Sequence, residues 1–164
     1  MSQRANDLSK QIQLFRDEVI AFVEKLSDAQ WNAVSQWEQW TVGVAARHLG
    51  AGHLGISGLL GMIVQGKELP QYTMDQINAM SDDDARQHAD CTKAEALEAL
   101  RKNGDDFAAF IAGLTDEELD RKASMPAFGG EASVQLILER IVFQSGRQHL
   151  DSMKAAVSEM TRLP

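Results

Sequence analysis

Four segments of this chain repeat apolar residues every three or four positions, and none shows convincing period-two alternation. That pattern confines the fold to packed helices. The first stripe, Leu8, Ile12, Phe15, Val19, Phe22 and Leu26, predicts a helix over about 5–25. A second passes through Ala45, His48, Gly52, Ile56, Leu59 and Ile63, and a third through Ala94, Leu97, Leu100, Phe107 and Ile111. The last takes in Val134, Leu138, Ile141, Val142, Ser145, His149, Met153 and Ala156.

Local signals supply the boundaries. Thr41 is placed to cap the second helix and Gly66 to end it, while Thr92 with Glu95 and Thr115 with Glu118 have capping-box spacing. Ser27 and Thr73 are candidate caps of shorter helices, the one at Thr73 polar and peripheral. The connection holding Trp31, Trp37 and Trp40 is expected to lie as a lid over one end of the core. "ASMPAFGGEAS", with Pro126, Gly129 and Gly130, is expected to be a loop. The expected fold is therefore all-α, a four-helix bundle with short accessory helices, in one domain over 1–164. Connectivity stays open at this point.

A formal net charge of −8 disfavours a phosphate-backbone partner, so nucleic acid is not expected. The single Cys91 and an opening segment without a secretory apolar run suit the reducing cytoplasm. Leu49 to Gly66 carries no formal charge and approaches membrane-spanning length. Its His53, Ser57, Gln65 and glycines argue against spanning, and no membrane is expected. Gly52, Gly55, Gly58 and Gly61 recur every three residues there, each at a helix cost of about 1 kcal/mol relative to Ala. Close packing against a neighbouring helix or a second subunit is the expectation; a cavity beneath His48 is the alternative.

His48 and His149 interrupt two apolar stripes. A buried imidazole needs partners for both ring nitrogens, and helix backbones have none to spare. Such residues are commonly core histidines satisfied by a hydroxyl, carboxylate or water. Histidines on separate bundle helices also converge on transition metals. Spacing alone leaves both readings open.

The runs "WTVGVAARHLGAGHLGISGLLGMIVQG" and "ILERIVFQSGRQHLDSM", with the "LSDAQW" turn and the first helix, resemble the DinB-like superfamily. That superfamily includes the metal-binding domain of mycothiol-dependent maleylpyruvate isomerases. The resemblance implies a four-helix bundle, usually a homodimer, whose three histidines hold a divalent metal such as zinc or nickel. His48 matches the first ligand and His149 the last, whereas the middle position holds Ser145, whose hydroxyl is a weak donor. Three outcomes follow: His53 or His88 completes the site, solvent fills the gap, or the metal is gone. His53 lies about 140° around the helix from His48, a poor angle for shared chelation. His88 sits in a polar stretch and is expected to face water.

The resemblance further implies an enzyme, a hydrolase or one using a low-molecular-weight thiol, acting on a small-molecule substrate. A bound divalent metal lowers the pKa of thiol or water and yields a nucleophile at neutral pH. The competing class is a non-catalytic bundle that binds a small ligand or dimerises and has lost its metal. A third idea, Ser145 as a nucleophile activated by His149, lacks a strained turn and an evident oxyanion donor.

Overall fold

The computed structural model describes residues 2–162. Hydroxyl caps mark its helix starts. Thr41 accepts from the Val44 amide, and Ser27, Thr73, Thr92 and Thr115 each complete a reciprocal box with Gln30, Gln76, Glu95 and Glu118. Each such cap is worth about 1 kcal/mol. In chain order the elements are α1 (Gln3–Glu24), α2 (Asp28–Trp31), α3 (Val42–Val64), α4 (Met74–Gln87), α5 (Lys93–Ala112) and α6 (Asp116–Asp120), then strands β1 (Lys122–Met125) and β2 (Gly130–Ser133). The chain ends in α7 (Val134–Leu138), a π-helical segment (Glu139–Ser145) and α8 (Gly146–Met160), which together form one continuous helix.

Four long helices enclose the core. α5 packs between α1 and α3, and the terminal helix closes the ring against α3 on one side and α1 on the other. One apolar cluster centres on Ile12, Leu60, Phe107, Ile111 and Leu138; a second, nearer the site, joins Phe15, Val19, Leu49, Leu100, Leu150 and Met153. The α3–α5 approach depends on Gly50. A Cβ there would lie 2.9 Å from the Leu100 amide nitrogen and 3.1 Å from Ala99.

One expectation needs correction and a second is narrowed. "ASMPAFGGEAS" is not wholly loop: β1 and β2 pair antiparallel from Lys122↔Ser133 to Met125↔Gly130, around a 3₁₀ turn and the positive-φ Gly129. Strands this short, rich in Ala and Ser, carry no readable alternation. The glycine strip, in turn, is not packed against another helix of this chain. A Cβ at Gly52, Gly55, Gly58 or Gly61 would meet nothing within 4 Å. The buried face of α3 runs instead through Ala46, Leu49, Gly50, His53, Leu60 and Ile63. A helix without charge from Leu49 onward and apolar all round leaves its inward face to be chosen by its neighbours.

The terminal helix shows a related effect. Val134, Leu138, Val142, Gly146 and Leu150 are buried at strict intervals of four, a spacing that drifts about 40° per step in an α-helix. The wider i→i+5 turn of the π segment takes up that drift. Among the described residues, no helix is long and apolar enough to cross a membrane.

Candidate functional site

His48, on the second turn of α3, and His149, on the first turn of α8, meet in space. Their ring centroids lie 5.1 Å apart, edge to face. Both are half-buried. Trp40 adds a third ring, 5.0 Å from His48 and stacked within 10° of parallel to His149 at 6.1 Å. Trp37 lies 6.0 Å from His149 and is 60% exposed. The tryptophan connection is thus only partly the expected lid. Trp31 packs on the core beneath Gly43 and donates to the Cys91 carbonyl, but Trp37 and Trp40 flank the histidine pair.

The connection is held by its own backbone. Val34 and Thr41 form a β-bridge, Ser35 N–H donates to the Trp40 carbonyl, and Gln39 takes a left-handed φ of 61°. Two acidic residues of α4 brace this wall, since Trp40 Nε1 donates to Asp82 at 3.1 Å and Arg47 to Asp84 at 2.6 Å. The same short loop delivers Glu38, which the sequence reading missed. Its side chain is 6% exposed, and Oε1 lies 2.8 Å from His149 Nδ1. Ser152 Oγ donates to Oε2 at 2.6 Å, and Ser35, itself fully buried, donates to the same oxygen. A signal was available: Glu38 is the sole carboxylate between Asp28 and Glu68, and it stands among tryptophans.

Burial and charge set the protonation states. Burial pushes the Glu38 carboxyl up, but hydrogen bonds from His149, Ser152 and Ser35 outweigh it and hold the group at about 2. Burial, reinforced by the nearby His149 ring, lowers His48 to about 4. His48 is therefore neutral at pH 7, and neither of its ring nitrogens makes a hydrogen bond to a described residue.

The other sequence candidates sit elsewhere or stand apart. His53 is 3% exposed, stacks on Phe107 at a centroid distance of 5.6 Å between α3 and α5, and has a buried Nδ1 with no partner. Ser145 ends the π segment one turn before His149, half-buried and without a capping hydrogen bond. His88 lies at the end of α4, its side chain 41% exposed and its Nδ1 3.2 Å from Asp84.

A divalent ion can be tested against this donor set. His48 and His149 offer free imidazole nitrogens, and His149 is backed by a carboxylate, as metal-bound histidines commonly are. No group of three or more His, Cys, Asp or Glu side chains among the described residues is arranged to hold an ion. Two imidazoles are fewer than the three or four protein donors of an ordinary zinc site.

The model of the mycothiol maleylpyruvate isomerase N-terminal domain matches residues 12–142. The chain belongs to that family. His48 falls within the matched span and His149 beyond it. Among solved structures, YfiT from Bacillus subtilis is similar, with 21% sequence identity and a TM-score of 0.75, over 98% of this chain and 90% of that one. YfiT is described as a probable metal-dependent hydrolase with an unusual four-helix bundle topology; at this identity the likeness is one of fold. No curated protein matches the chain.

Proposed function

We propose that this chain is a metal-dependent enzyme of the DinB-like superfamily, in which His48 and His149 hold a divalent metal, zinc or nickel, and a small-molecule substrate reacts with a metal-activated low-molecular-weight thiol or water. The carrying observation is the convergence of two imidazoles with unpartnered nitrogens, one from α3 and one from α8, beside the rings of Trp37 and Trp40. When bound, the metal would lower the pKa of a thiol or water and so supply a nucleophile at neutral pH. His48 reaches the site already neutral, and so has no proton to displace before it ligates at pH 7. Trp40 packs against both rings and Trp37 against His149. In this reading Ser145, one turn before His149, donates a hydrogen bond from its hydroxyl to the incoming ligand.

With only two protein ligands, affinity is expected to be lower than that of a three-histidine site. Untagged protein should bind zinc or nickel in calorimetry with a stoichiometry near one, and His48→Ala or His149→Ala should abolish binding. Ser145→His should tighten it by at least tenfold. No metal uptake by the parent protein, combined with tight uptake by Ser145→His, would support the alternative of a ligand-binding bundle that has lost its metal.

The same reading takes the chain as a homodimer. The uncharged face of α3, with Gly52, Gly55, Gly58 and Gly61 open and Leu54 64% exposed, supports docking of a second copy there.

A further inference from the structure

We propose that Glu38 is the positioning residue of this site, fixing His149 in the tautomer that carries hydrogen on Nδ1 and leaves Nε2 free as a donor atom beside His48. The inference deepens the metal reading above and rests on it for its purpose, but its geometry stands independently.

The first observation is a two-point clamp. His149 and Ser152 lie three residues apart on α8, so they share one helix face. Their donors meet the two oxygens of one carboxylate, Nδ1 on Oε1 at 2.8 Å and Oγ on Oε2 at 2.6 Å. A single contact would leave the imidazole free to pivot; paired contacts from one helix set both the position of Glu38 and the direction of the ring.

The second observation is that Glu38 itself has little freedom. Ser35 Oγ accepts from the Glu38 amide at 3.2 Å while also donating to its carboxylate. The β-bridge at Val34 and Thr41 and the left-handed Gln39 shape the loop that presents the side chain. An ionised carboxylate only accepts hydrogen bonds, so the nitrogen facing it must be the protonated one. The carboxylate already accepts from Ser35 and Ser152, so it meets His149 as an acceptor as well. Nε2 then keeps its lone pair, and a hydrogen-bonded carboxylate behind a histidine raises its basicity as a ligand.

Glu38 could instead merely pin the tryptophan loop to α8. Imidazole ¹⁵N spectra of the metal-free protein separate the two roles, because pinning does not require a particular ring proton. Wild-type His149 should show a single Nδ1–H tautomer. Glu38→Gln keeps the size of the side chain and can still bond both serines, but its amide presents one donor and one acceptor to its neighbours. In that variant the ring should become a mixture of tautomers, and zinc affinity should fall 10- to 100-fold. A wild-type Nε2–H tautomer overturns the proposal without recourse to any variant, as does a single Nδ1–H tautomer retained in Glu38→Gln. Wild-type protein that binds no zinc overturns the metal reading and leaves the tautomer spectra to decide the role of Glu38.

Discussion

Acid should destabilise this protein through His53 before its carboxylates begin to matter. Burial between α3 and α5, with a smaller contribution from nearby Arg16, lowers the imidazole from 6.5 to about 4. A histidine whose folded pKa is depressed contributes stability that is fully present above its unfolded pKa. That contribution is lost as pH falls from 6.5 towards 4, because the unfolded chain binds the proton first. From those two values, the loss between pH 8 and pH 5 is about 2 kcal/mol for this one group. His53→Phe removes the titration, keeps a ring against Phe107 and eliminates the unpartnered Nδ1. Urea unfolding of both proteins at pH 8 and pH 5 gives a double difference in which the packing change cancels. Wild type should lose about 2 kcal/mol more than the variant over that interval. His48, lowered for the same main reason, adds to the loss in both proteins and drops out of the difference. Equal losses in the two proteins would refute the claim that His53 is held neutral by burial.

The glycines of α3 should divide by environment. Gly50→Ala forces a Cβ against the α5 backbone and should cost about 1–3 kcal/mol, whereas Gly55→Ala meets open space and should stabilise by about 1 kcal/mol in urea unfolding. If the open α3 face joins two copies, sedimentation should find a dimer in the parent protein and a monomer in Gly55→Arg with an unchanged circular dichroism spectrum.

Helix starts were legible because each is decided within four residues. Thr92 and Glu95 satisfy one another's amides whatever packs nearby, and Thr115 and Glu118 do the same. The inward face of α3 was less legible. Apolar or small residues occur on every side of it, so the sequence placed His48 and Gly52 on the buried stripe, while packing against α5 selected Gly50 and His53. Glu38 was read past for a different reason. It lies in a loop without periodicity, and two of its partners, His149 and Ser152, are more than a hundred residues away on α8.

The residue pattern alone determined that this chain is a bundle of four long helices, where most of them begin, and that His48 and His149 are the imidazoles to watch. Those are properties of local hydrogen bonding and helical period, set by near neighbours in the chain. Only the tertiary structure decided that the two rings meet, that His53 turns away onto Phe107, and that a carboxylate from the tryptophan loop stands behind His149. Such arrangements depend on how helices rotate and approach when they pack together, a choice among faces of similar polarity that is settled by steric fit.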